Sequence, residues 1–160
     1  MPSPFRFDRT WPFGVAPDEL WATLANTDRY REWWPWLREF AVDGGPGDAA
    51  LTTGAVAHVV IQAPLPYQLH CTVHVVDAVT DERLVTVVDG DVTGPARLEL
   101  MPTANGTDAR LVWELELRAP LLRSFAMVAR PAMAWAHDRI VERGLQQFEG
   151  HALQERDRRL

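Results

Sequence analysis

Hydrophobic and polar positions alternate from the start of the chain. Over residues 5–13, Phe5, Phe7, Trp11 and Phe13 share one phase and Arg6, Asp8 and Thr10 the other, the period of a half-buried strand interrupted on its apolar side by Arg9. The pattern then changes to helical spacing. Ala16-Pro17-Asp18-Glu19 reads as a helix start, with proline at the first position and two carboxylates at the positive end of the dipole. Leu20, Trp21 and Leu24 form its apolar stripe. A break falls at Asn26-Thr27-Asp28, where Thr27 or Asp28 is expected to cap a second short helix through Tyr30, Trp33 and Trp34 that stops before Pro35.

The turn signal Asp43-Gly44-Gly45-Pro46-Gly47-Asp48 separates Trp36 to Val42 from a run of predicted strands. These cover residues 51–62, 67–78, 83–89, 96–101 and 109–118, divided by Pro64/Pro66, Thr80-Asp81-Glu82, Gly90 to Pro95 and Asn105-Gly106. Short connections predict an antiparallel meander. In the last strand Leu111, Trp113, Leu115 and Leu117 alternate with Val112, Glu114, Glu116 and Arg118; in the strand at 67 the apolar phase is Tyr67, Leu69, Cys71, Val73 and Val75. Pro120 opens a helical segment running to about Leu153, which Pro131 must kink or split. Its apolar centre passes through Leu121, Leu122, Phe125 and Val128, then Met133, Ala136, Ile140, Val141, Gly144 and Phe148.

The element order predicts an α+β domain over residues 1–155, with a polar tail at 156–160. A curved antiparallel sheet of about seven strands wraps a long C-terminal helix, and two short helices follow strand one. One helix cannot fill the hollow of a strongly twisted sheet, so a cavity is expected between them.

Composition narrows the function classes. At 160 residues and 47% hydrophobic the chain suits one folded domain and excludes intrinsic disorder. It holds no apolar run of the roughly 18 residues that integral membrane association needs. The N-terminus shows neither an export signal nor a lipidation signal, and a cytoplasmic location is expected. A net charge of -6 gives no nucleic-acid footprint. All 16 basic residues are arginine, which excludes lysine Schiff-base chemistry, and the lone Cys71 excludes an internal disulfide or a multi-cysteine zinc site. Seven tryptophans are left to explain.

Three stretches carry a resemblance: Ala16-Pro17-x-Glu19-Leu20-Trp21-x-x-Leu24, Asp28-Arg29-Tyr30-x-x-Trp33-Trp34-Pro35-Trp36-Leu37, and Trp135-Ala136-His137-Asp138 followed by Gly144-Leu145. In these and in element order the chain resembles the START-like or Bet v 1-like (SRPBCC) superfamily, particularly its polyketide cyclase/dehydrase-like branch. The resemblance implies a helix-grip fold and an apolar cavity for lipids, sterols, polyketides or other hydrophobic molecules, with Trp33 to Trp36 near one end. No haem, iron-sulfur or metal ligand set of that superfamily is matched, and no cofactor is expected. No shared catalytic set carries over.

His137 is the sharpest polar candidate, near the middle of the apolar face of the post-proline helix. It reads either as a core histidine bonded to a strand or as a cavity group that orients a ligand or acts as general acid or base. Asp138 lies off that face, as a surface residue or an orienting partner. His70 and His74 share a strand face but sit about 13 Å apart, too far to ligate one ion, so no metal is expected. His58 lies in a strand apolar in both phases, which leaves its side open. The expected ligand-binding residues are Trp33, Trp34, Trp36, Tyr67, Leu69, Trp113, Leu115, Phe125, Met133, His137 and Ile140.

Three functions follow, with the oligomeric state open. The domain binds a hydrophobic small molecule or lipid in the cavity; or it is a polyketide aromatase/cyclase or dehydratase, with His137 as the acid or base; or it is a protein-interaction module anchored by Trp33 to Trp36.

Overall fold

The first strand, β1 (Phe5–Phe13), forms where the alternation placed it, with Phe7 and Phe13 buried and Arg6, Asp8 and Thr10 exposed. The computed structural model describes residues 5–43, 51–62, 68–118, 138–139 and 141–148. After β1 come α1 (Pro17–Ala25), a 3-10 turn (Thr27–Arg29) and α2 (Tyr30–Trp33). Six strands follow: β2 (Leu37–Val42), β3 (Val56–Gln62), β4 (Gln68–Val79), β5 (Arg83–Gly90), β6 (Val92–Thr103) and β7 (Gly106–Leu117). Residues 138–139 and 141–147 are helical, and the helix widens to the π form at Phe148. The remainder of the helix expected between Pro120 and Leu153 lies outside the described residues.

All seven strands join one antiparallel sheet in the order β1-β7-β6-β5-β4-β3-β2. Register carries one apolar phase across it. Phe7 pairs with Trp113, Trp113 with Ala96, Ala96 with Thr86, Thr86 with Val75 and, four residues along β4, Cys71 with Val59 and Val59 with Phe40. A single antiparallel sheet of seven strands, with two short helices after the first, is what the element order predicts.

One end of the inner face is closed by packing. Phe13, Leu100 and Ala109 from the sheet, Leu20 and Trp21 from α1, Trp33 from α2 and Phe148 from the C-terminal helix form a buried cluster. The entry to α1 is held by Thr107, fully buried, whose hydroxyl donates to the Val15 carbonyl at 2.7 Å. At the other edge Arg9, the interruption in the apolar phase of β1, lies 5.4 Å above the Phe7 ring and 3.8 Å from Asp138. Its charge thus stays at the rim and ties the first strand to the C-terminal helix.

Three local expectations are corrected. Asn26, not Thr27 or Asp28, occupies the cap position, with no side-chain cap bond, because α1 tightens directly into the 3-10 turn and draws Thr27 inside. The strand expected from 51 begins at Val56, since Thr52 to Gly54 turn, with φ +91 at Gly54. The strand expected at 96–101 begins instead at Val92 and runs through Gly94-Pro95. A Cβ at Gly94, where φ is +145, would lie 2.0 Å from the Glu114 carbonyl oxygen. Glycine there marks a close approach of two strands rather than a turn.

Candidate functional site

The site is built from a turn, a floor and the end of a helix. Pro35 ends α2 after Trp33 and turns the chain into β2, which presents three indoles in four residues to different surroundings. Trp33 is 3% exposed and belongs to the core cluster. Trp34 is half-buried, lies edge-on to Tyr30 at 5.0 Å and stacks on Phe148 at 6.1 Å and 21°. Its Nε1 donates to the Gly144 carbonyl at 2.8 Å, and the Trp36 Nε1 donates to Gln147 Oε1 at 3.0 Å. The turn is therefore fastened to residues 144–148 of the C-terminal helix. Behind it the Tyr30 hydroxyl donates to the Leu24 carbonyl, and burial pushes that phenol above the usual tyrosine range.

The floor is the inner face of β3 to β7. Trp113 stacks on Phe7 at 4.4 Å and 17°, Leu115 stands opposite Phe5, and Leu69 stands opposite Ile61, itself paired with Leu37 beside the tryptophan turn. The Gln62 N–H donates to the Trp36 carbonyl at 2.8 Å, which fixes the turn to this end of the sheet. Leu69, Val73, Val88, Leu111, Trp113 and Leu115 all point inward yet remain only half-buried, in contrast to the closed cluster around Leu20.

The structure thus brings Trp33, Trp34 and Trp36 together, with Leu69 on the adjoining rung and Trp113 and Leu115 across the floor. Tyr67, Phe125, Met133, His137 and Ile140 lie outside the described residues. Sequence reasoning missed Gln147, and it placed Phe148 in the core without seeing that both join the tryptophan turn. The available signal was chemical: indole N–H groups that leave water need acceptors.

The other polar candidates face away. His70 and His74 are exposed on the outer face, and so is His58, whose Nε2 lies 3.1 Å from Asp43 Oδ1. Among the described residues no three metal-ligating side chains gather. Cys71 points inward, and burial, the main cause, pushes its thiol up and leaves it a poor nucleophile. Outside the turn, Asp28, Arg31, Glu32, Pro35, Leu37 and Arg38 line an open groove of about 480 Å³, with Glu32 held by the Arg29 guanidinium at 2.9 Å. Among the described residues no helix is long and apolar enough to cross a membrane.

Trp34→Phe tests the fastening directly. It removes the bond to Gly144 and part of the stack on Phe148, and is expected to cost about 1–2 kcal/mol in urea unfolding. Trp36→Phe, losing a bond between two side chains near the surface, should cost about 0.5 kcal/mol. Equal costs would contradict this division.

Comparison with known proteins places the architecture. The family model described as polyketide cyclase / dehydrase and lipid transport matches residues 4–152. The chain is similar in structure to TTHA0849 from Thermus thermophilus, with a TM-score of 0.70, 15% identity, and coverage of 95% of this chain and 98% of that one. It is also similar to a START superfamily protein from Mycobacterium smegmatis, with a TM-score of 0.67, 13% identity, and 93% and 97% coverage. A third likeness is to Ara h 8.0201, with a TM-score of 0.57, 12% identity, and 89% and 99% coverage. A search of curated proteins gives no match.

Proposed function

Because the chain belongs to the polyketide cyclase / dehydrase and lipid transport family, we propose that it binds a hydrophobic small molecule or lipid between the inner face of its sheet and its C-terminal helix. The observation that carries this reading is the half-open apolar floor at Leu69, Val73, Val88, Leu111, Trp113 and Leu115, beside an end that is closed by packing. Inward-facing apolar side chains left part-accessible in a folded domain are what a ligand would cover. Covering roughly 300 Å² of apolar ligand surface would release roughly 7 kcal/mol, before the cost of immobilising the ligand is subtracted. Trp33, Trp34 and Trp36 would bound one end of the site, and Tyr67, Phe125, Met133, His137 and Ile140 would complete its lining.

Titration with a fluorescent fatty acid or a polycyclic aromatic, read by energy transfer from tryptophan, should saturate at one ligand per chain. Leu115→Arg, which puts a charge into the floor, should weaken binding at least tenfold with the fold intact. Absence of saturable binding to either class of probe overturns the reading.

The family description also names cyclases and dehydrases, which keeps an enzymatic reading in play. In that case the cavity would hold a flexible polyketide in a reactive conformer and His137 would move the proton. His137→Ala would then abolish turnover of a reactive polyketide mimic, whereas in a carrier it would change affinity alone.

A further inference from the structure

Among the described residues, the inner face of the sheet carries one charged side chain, Arg9. It falls in the inward phase of β1, between Phe7 and Trp11, and heads an otherwise apolar rung in which it pairs with Leu111, Leu111 with Leu98 and Leu98 with Leu84. Its guanidinium lies 5.4 Å from the centre of the Phe7 ring, which stacks on Trp113 at 4.4 Å, so the charge stands one aromatic ring from the half-open floor. The group is reachable, since the side chain is 44% exposed. It is also loosely held. The 3.8 Å to Asp138 Oδ1 makes an ion pair but exceeds a hydrogen bond, whereas Arg110, on the outer face, grips Asp8 at 2.6 and 2.8 Å. Arginine binds a carboxylate best through two parallel N–H bonds, and a contact of 3.8 Å does not supply them.

We propose that Arg9 receives the carboxylate of an amphipathic ligand whose apolar body lies along Leu111, Trp113 and Leu115 of β7, and that this carboxylate displaces Asp138 from the guanidinium. The inference rests on the ligand-binding reading above and narrows its ligand class to monocarboxylic acids with a long-chain or fused-ring body. From Leu111 to Leu115 the strand runs about 13 Å, a length that seats such a body with its acid group at the Arg9 rung. In a chain of net charge -6 an anionic ligand needs a local cation to be drawn to the floor at all. One guanidinium beside a competing carboxylate balances a single negative charge, which favours a monoanion over a phosphate dianion. Because Arg9 remains part-exposed, the acid group keeps some of its hydration while the apolar body leaves water.

The test pairs two acids, 11-(dansylamino)undecanoic acid and 2-naphthoic acid, with their methyl esters, titrated by fluorescence at about pH 7.5, where the acids are ionised. Arg9→Leu, which completes the apolar phase of β1, should weaken both acids about five- to tenfold and leave the esters within about twofold. Asp138→Asn removes the competing carboxylate and should tighten the acids about two- to threefold, again without effect on the esters. Acid affinity unchanged in Arg9→Leu, or acid and ester weakened alike, overturns the Arg9 site and leaves the cavity reading standing. Acids unaffected or weakened in Asp138→Asn overturn the displacement. Saturable binding by none of the four probes overturns the cavity reading and the Arg9 site with it. Thermal melting confirms that each variant folds, and Arg9→Gln, polar and uncharged, decides should leucine disturb the edge strand.

Discussion

Phe148→Ala is expected to lower the stability of the domain by roughly 3–5 kcal/mol, the range for truncating a buried aromatic side chain. The ring is 5% exposed and sits at a junction of four aromatic side chains. It lies edge-on to Phe13 at 5.8 Å and to Trp33 at 5.9 Å, and stacks on Trp34 at 6.1 Å. These contacts come from β1, from α2, and from the turn beyond α2, so a single truncation loosens the helix end from the sheet and from the tryptophan turn at once. Each aromatic pair contributes about 0.5–1.5 kcal/mol beyond burial alone. Urea unfolding should show a lower midpoint with an unchanged slope, and Phe148→Leu should recover about half of the loss. A midpoint shift equivalent to less than about 1 kcal/mol would show that the ring is not the junction described. Affinity for a fluorescent fatty acid should fall in Phe148→Ala, since the closed end of the cavity loses a wall.

Gly94→Ala is the second large effect, and it acts through the backbone. With φ at +145 and a would-be Cβ 2.0 Å from the Glu114 carbonyl oxygen, 3.0 Å from its carbon and 3.3 Å from the Leu115 Cα, the new methyl group meets only main chain. No flexible side-chain tip can move aside, so β6 and β7 must part or the residue must change conformation. Strain of this kind costs about 1–3 kcal/mol in the backbone alone, and the clash adds to it, so a total near 3 kcal/mol or more is expected. The displaced segment of β7 carries Trp113 and Leu115, so ligand binding should weaken along with stability. Gly14→Ala is the control, because a Cβ there meets nothing within 4 Å. Its melting temperature should move by no more than a few degrees. A Gly94→Ala protein as stable as the Gly14→Ala protein would contradict the close approach.

The sheet was legible in the sequence because three of its strands alternate clearly, with Arg9 the one break in the apolar phase of β1. Period-two patterning at Phe5 to Phe13, Leu69 to Val75 and Leu111 to Leu117 can be satisfied only if one phase is buried, and the register of β1, β4 and β7 follows it. Pro17 and Pro35 marked the start of α1 and the limit of α2 because proline's fixed geometry acts on its immediate neighbours. The start of β6 was not legible. Gly94-Pro95 reads locally as a turn, and only the Glu114 carbonyl, twenty residues on, explains the glycine. His58 gave no sign of its side because both phases of β3 are apolar, and both Val59 and Val60 are buried.

The candidate site divides the same way. Sequence alone determined the order of the elements, the phase that turns inward in β1, β4 and β7, and the concentration of tryptophan at residues 33 to 36. These follow from periodicity and from residues that act within a few positions of themselves. Tertiary structure alone decided what each indole does: Trp34 and Trp36 donate to Gly144 and Gln147, 110 and 111 residues away, while Trp33 is left with a buried and unmatched N–H. Three residues of one type within four positions carry the same local signal. Their hydrogen-bond partners are set by which distant backbone and side-chain oxygens the fold brings within about 3 Å, a choice made by chain folding over the whole domain.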